Sequence, residues 1–188
     1  MSVKGRAAVA AVWLLLMNAG AAALEVTQAA DGPVAGGKDF RLSGGMTLSN
    51  VSFSEGLGGR VVVLPLDNAG WRAVRILDKN FFDKLLAANS GRLSKPASSG
   101  QPQIKIVSAF PLYSNFRIAR VEVALDGELT VAFGVVRRQK DGLDVYDAVP
   151  PQCLGIDEGE FKEQLRRLVV EAGKKAAGAQ RQSWFAKI

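Results

Sequence analysis

The chain has 188 residues, with 24 Lys and Arg against 18 Asp and Glu, a single cysteine and no histidine. Without imidazole there is no Ser-His-Asp or Cys-His catalytic arrangement and no His-ligated zinc, copper or haem. The single cysteine, Cys153, excludes an intramolecular disulfide and sulfur-ligated metal centres, and reads as a small, partly buried apolar residue.

The N-terminus follows the three-part plan of a secretory signal peptide. Lys4 and Arg6 form a basic start, an apolar stretch runs from Ala7 to Met17, and Asn18 and Gly20 close it. Ala21 and Ala23 supply the small-x-small spacing a signal peptidase accepts, so residues 1–23 are expected to be removed and Leu24 to become the first residue. No cysteine stands at this junction to carry a lipid. Loss of Lys4 and Arg6 leaves 22 basic and 18 acidic residues, a charge of +4. So mild a bias is no nucleic-acid footprint, and the expected location is periplasmic or secreted. The remainder suits one domain.

Residues 24–38 contain Asp31-Gly32-Pro33 and Gly36-Gly37 and read as a flexible lead-in to a single α/β domain over 39–177. Phe40 and Leu42, then Met46, Leu48, Val51 and Phe53, predict short strands interrupted at Gly44-Gly45, with a bulge between Leu48 and Val51 where the apolar face shifts. Gly56-Leu57-Gly58-Gly59 precedes a strand instead of joining one to a helix, so it reads as a turn and not a phosphate loop. The run Val61 to Leu64 predicts a strand buried on both faces. Asp67 and Asn68 are candidate caps for an amphipathic helix over 70–89, in which Trp71, Val74, Leu77, Phe81 and Leu85 share a face.

Residues 94–103 hold two prolines and no apolar period, and predict a loop. Three strands are expected after it, over 104–125, 129–135 and 143–149, with Asp126-Gly127 and Asp141-Gly142 as hairpin turns. At the first turn, pairing Leu125 with Leu129, Val123 with Val131 and Val121 with Phe133 keeps one face apolar, which favours a three-residue loop. After Pro150-Pro151 a second helix is expected over 157–177. It is announced by an Asp157-x-x-Glu160 capping pattern and an Ile156/Phe161 staple, with Leu165, Leu168, Val169 and Ala172 on its apolar face.

The expected architecture is therefore α+β: a two-layer sandwich with a mainly antiparallel sheet of about five strands and both amphipathic helices on one face. Asp141, Asp144 and Asp147 lack the spacing of a calcium loop. Asp157, Glu158, Glu160 and Glu163 are what a helix dipole favours at its first turn. No catalytic, cofactor-binding or metal-binding residues are assigned, no cofactor is expected, and a non-enzymatic role is favoured.

The last stretch is basic: Arg166, Arg167, Lys174, Lys175, Arg181 and Lys187 face only Glu171, and Trp184, Phe185 and Ile188 close the chain. Within it, Arg166, Arg167, Lys174, Lys175, Arg181, Trp184 and Phe185 are the candidate partner-binding residues, with 178–188 as a basic aromatic tail. The partner class is another envelope protein or an anionic envelope surface, and not nucleic acid. An alternative is carriage of an apolar or lipid ligand between sheet and helices, lined by Trp71, Phe81, Phe116 and Phe133. Finally, Arg60-Val61-Val62-Val63-Leu64-Pro65-Leu66-Asp67-Asn68 resembles the strand-to-helix opening of TolB N-terminal-like and YajG-like envelope domains. That resemblance implies envelope assembly or a periplasmic accessory role and carries over no catalytic residue.

Overall fold

The computed structural model describes residues 23–57, 59–66, 70, 72–93 and 101–185, with side chains to residue 179. The signal segment over 1–22, the caps Asp67 and Asn68, Trp71 and residues 94–100 of the expected loop lie outside the described residues.

The fold is mixed α+β and mostly sheet, with its strands divided between two five-stranded antiparallel sheets. The first sheet holds β1 (Val26–Asp31), β2 (Lys38–Leu42), β3 (Met46–Gly56) and β10 (Leu154–Ile156) side by side, with β4 (Gly59–Val63) also paired to β3. The second runs β5 (Val74–Ile76), β8 (Leu129–Lys140), β7 (Arg117–Leu125), β6 (Ile104–Pro111), with β9 (Leu143–Val149) also on β8. Helix α1 (Lys79–Asn89) packs on β1, β4 and β5, whereas α2 (Glu160–Phe185) lies across β6, β7, β8 and β9. The two helices thus pack on different sets of strands. A single core joins both sheets and both helices, from Leu24 through Phe40, Phe81, Val123 and Phe133 to Val169.

The β7–β8 turn has the expected three-residue form. Leu125 pairs with Leu129, Val123 with Val131 and Val121 with Phe133, all essentially buried. Asp126 and Gly127 both take left-handed backbone (φ 50° and 73°), and Glu128 N–H closes the turn onto Leu125 C=O at 3.0 Å. The bulge between Leu48 and Val51 is also present: Phe40 pairs with Leu48 but Lys38 with Val51, and Asn50 has φ 58°.

Several expectations need correction. The lead-in is structured: β1 pairs with β2, and Leu24 and Val26 are fully buried. Its turn residues lie in the β1–β2 connection, and the preceding apolar residues supply the strand. The Val61–Leu64 run is not buried on both faces: β4 pairs with β3, and Val61 and Val63 are exposed. The first helix begins at Lys79, not residue 70. Val74, Arg75 and Ile76 instead pair with Val131, Thr130 and Leu129 of β8, and Asp78 caps the helix through Asn80 N–H at 2.8 Å. A strand therefore separates β4 from α1. Residues 104–125 form two antiparallel strands, β6 and β7, joined through 112–116. Helix α2 begins at Glu160, directly after Gly159 with its non-helical φ of 152°, and Asp157 is paired with Arg41 of β2. It continues through Phe185, so residues 178–185 extend the helix instead of forming a separate tail.

Helix α2 approaches the sheet closely at Gly173, where an added Cβ would lie 2.5 Å from Val135 Cγ2 and 3.2 Å from Ala119 Cβ. Alanine has a helix propensity advantage of about 1 kcal/mol over glycine, but overpacking costs about 1–3 kcal/mol and β-branched Val135 has little rotamer freedom. Gly173→Ala is therefore expected to lower the melting temperature by a few degrees in a thermal denaturation scan. An unchanged or raised value would contradict this packing.

Candidate functional site

Helix α2 and the strands beneath it define the surface on which the sequence-based candidates fall. Arg166 stands at a cleft of about 450 Å³ between β9, β10 and the first turns of α2. Its guanidinium Nε donates to Asp147 Oδ1 at 2.9 Å, and Glu163 lies 3.6 Å away. Asp147 holds the guanidinium pKa above its ordinary value. Arg167 and Lys175 are exposed. Lys174 sits 4.7 Å from the Tyr146 ring centre, a cation–π arrangement. Candidates Arg181, Trp184 and Phe185 lie within the helical backbone, but their side chains are outside the described residues.

The described cations of α2 are therefore spread along the helix and not gathered in one cluster. Arg166 belongs to the cleft near the start of the helix. Lys174 belongs to a second, smaller hollow of about 130 Å³, where Ala177 and Gly178 meet Ile118, Arg137 and Tyr146. The aspartates considered for calcium are separated in the same way: Asp144 lies 3.9 Å from Arg137, and Asp147 is held by Arg166. Among the described residues no group of three potential ligands is placed to hold a metal ion.

Of the aromatics proposed to line a ligand pocket, the three that are described do not assemble. Phe81 and Phe133 are 0 % and 2 % exposed and belong to the core, whereas Phe116 is 55 % exposed on the surface. Phe133, Leu154 and Leu165 border the larger cleft, yet none exceeds 3 % exposure. Its floor is already packed. Asp147, Glu158, Lys162, Glu163 and Arg166 surround it with charge.

A surface that sequence reasoning missed lies at the opposite end of α2. Phe110, Leu112, Tyr113 and Phe116, at the end of β6 and in the β6–β7 connection, are 54 %, 37 %, 88 % and 55 % exposed. Leu112 N–H donates to Ile118 C=O, and Phe116 C=O accepts from Arg137 N–H. These bonds tie the aromatic connection to the two residues that also border Gly178 of α2. Beyond Gly178 the helix continues for seven residues, about 10 Å at 1.5 Å per residue. The connection and the final turns of α2 thus share one end of the sheet. The available signal was Phe-Pro-Leu-Tyr, a break in strand alternation at Pro111 with apolar residues on both sides.

The described acidic groups perturbed by burial lie elsewhere, at the β7–β8 turn. Burial raises the carboxyl pKa of Asp126, and Oδ2 has no hydrogen-bond partner, while Oδ1 accepts from Gln103 N–H at 2.7 Å. Burial also raises that of Glu128, opposed by the nearby Lys84 and by the Leu24 N–H. These groups were not singled out in the sequence. The three-residue loop contained the clue, since it leaves Glu128 next to Leu129 at the edge of the apolar face.

Compared with known proteins, the chain matches no protein-family profile, no curated protein and no solved structure.

Because the folded pKa of Asp126 is raised, its protonated form favours folding below the unfolded value, about 3.9, and that contribution is lost as pH rises through the folded value. Asp126→Asn does not titrate. The melting-temperature difference between this variant and the native chain is expected to move in favour of the variant from about pH 3 to pH 7. A difference that moves toward the native chain would contradict the burial penalty.

Proposed function

We infer that this is an exported, non-enzymatic accessory protein that binds another component of the cell envelope through the end of the sheet where the β6–β7 connection meets the last turns of α2. The observation that carries the reading is the exposure of Phe110, Leu112, Tyr113 and Phe116 on one connection. Large apolar groups grouped on a surface mark binding sites far more often than isolated ones do, and aromatic residues dominate the energetics of protein interfaces.

Arg117 is exposed beside this connection, and Lys174 and Lys175 precede the last turns of the helix. The surface is thus aromatic with a basic border, which suits a partner carrying an apolar pocket with acidic groups around it. Export is supported by the signal-like residues 1–23, and the likeness of residues 60–68 to small envelope domains agrees with an accessory role. The candidates Arg181, Trp184 and Phe185 are carried by these last turns of the helix. Arg166 does not: its Asp147 and Glu163 partners place it at the far cleft.

A second reading, carriage of a small apolar ligand, rests on the cleft of about 450 Å³ under the first turn of α2. Its packed floor and charged rim favour it less.

Native mass spectrometry of the protein purified from its own envelope separates the two. A co-purifying protein is expected, and it is expected to be lost from the triple variant Phe110→Ser, Tyr113→Ser, Phe116→Ser and from a chain lacking residues 179–188. Exposed substitutions of this kind change stability little, so the triple variant is expected to melt within a few degrees of the native chain. Retention of the partner by both altered chains would contradict the surface, and a retained small apolar mass in place of a protein would favour the carrier.

A further inference from the structure

The first core residue, Leu24, is held by its backbone in an unusual way. It is fully buried, and its N–H donates to Glu128 Oε2 at 2.7 Å in a buried hydrogen bond that spans 104 positions of sequence. Its C=O accepts from Lys84 Nζ at 2.7 Å. Lys84 Nζ also lies 3.1 Å from Glu25 and 3.6 Å from Glu128. The three side chains are only 20 %, 12 % and 9 % exposed, whereas Ala23, one residue earlier, is exposed.

Among the described residues the charges of this cluster do not balance when Leu24 N is an amide. One lysine meets two carboxylates, and Asp78 and Asp126 add further negative potential at Glu128. The shortfall is one positive charge, and the Leu24 nitrogen, at 2.7 Å, is closer to the Glu128 carboxylate than Lys84 Nζ at 3.6 Å. An unpaired buried carboxylate is costly, and the usual remedies are protonation or a cation.

We propose that cleavage between Ala23 and Leu24 makes the Leu24 α-ammonium the counter-ion of Glu128, so that removal of the signal segment completes a buried four-charge cluster and fastens β1 to the β7–β8 turn. The idea rests on the export reading for its cleavage step. A signal peptidase adds water across the peptide bond: the Ala23 carbonyl becomes a carboxylate, and the released Leu24 amine takes the proton and remains an ammonium at neutral pH. Two positive charges, on Leu24 and Lys84, then face two negative ones, on Glu25 and Glu128.

Position matters to within one residue. A chain that keeps Ala23 carries its ammonium about one Cα spacing farther along, about 3.8 Å, at an exposed residue. A chain that begins at Glu25 loses both the buried Leu24 side chain and the carbonyl that Lys84 holds. Because Leu24 N is buried in the folded domain, cleavage comes before folding, while the chain is still extended. The small-x-small signal and the cluster select the same bond.

The test uses chains released from a removable N-terminal fusion, beginning at Leu24 or at Ala22, each with and without Glu128→Gln. Breaking a buried ion pair is strongly destabilising, so the chain that begins at Leu24 is expected to melt at least about 5 °C above the one that begins at Ala22. With Glu128→Gln that gap is expected to close. Equal melting temperatures in the native background, or a gap that Glu128→Gln leaves intact, would overturn the ion pair. If Glu128→Gln prevents folding, acylation of the α-amine by acetic anhydride decides. The folded Leu24 chain is expected to react at least tenfold more slowly than the same chain in urea, and equal rates overturn the proposal. Intact mass of the protein recovered after export tests the cleavage step separately: a product beginning at Leu24 supports it, and any other start overturns the proposal at the processing step while leaving the melting result to judge the ion pair.

Discussion

The three-residue turn Asp126-Gly127-Glu128 is the constraint on which most of the structure depends. By pairing Leu125 with Leu129 it keeps Val121, Val123, Val131 and Phe133 on one buried face. A shift of one residue would carry that whole set to the other side. The extra residue is Glu128, and its carboxylate accepts the Leu24 N–H while its C=O accepts Leu77 N–H just before α1. One turn therefore fixes the register of the second sheet, holds the start of the first and anchors the approach to α1. An acidic side chain this buried is tolerable only with partners. Lys84 of α1 and the Leu24 nitrogen provide them.

That constraint dictates the layered organisation. The first sheet cannot be a detached hairpin, because Leu24 and Val26 enter the same core as Phe81, Leu125 and Leu129. The second sheet is covered along its length by α2, whose Gly173 permits contact with Val135 and Ala119. A helix of 26 residues, about 39 Å long, exceeds β6, β7 and β9 in length. Its final turns therefore reach the end of the sheet at which Phe110, Tyr113 and Phe116 are exposed. In the proposed accessory role, that shared end is the working surface, and the charged cleft near Arg166 is the helix's structural start.

The features legible in the sequence were those governed by neighbours a few residues apart. The Asp-Gly turns, the strand register around them and the Leu48–Val51 bulge depend on left-handed backbone and on side-chain alternation, both visible locally. Features decided by distant partners were not legible. Val74 to Ile76 fit a helical stripe as well as a strand, and only the open edge of β8 selects the strand. Val61 to Val63 look like a buried strand, yet Val61 and Val63 are exposed. Asp157 looks like a helix cap until Arg41 captures it across 116 positions. Residues 24–31 look like slack because Gly and Pro come directly after them, and their strand exists through β2 and the cluster at Glu128. Of the candidate site, Arg167 and Lys175 are exposed, whereas the aromatic connection was taken for continuous strand.

The central claim is that the residues after Leu24 belong to the core and depend on the β7–β8 turn. Amide hydrogen exchange read by mass spectrometry tests it directly. Peptides covering 24–31 are expected to show protection comparable to those covering 117–135, and Glu128→Gln is expected to lower the protection of both together. Exchange of 24–31 at the rate of an unfolded chain, beside a protected 117–135, would contradict the account.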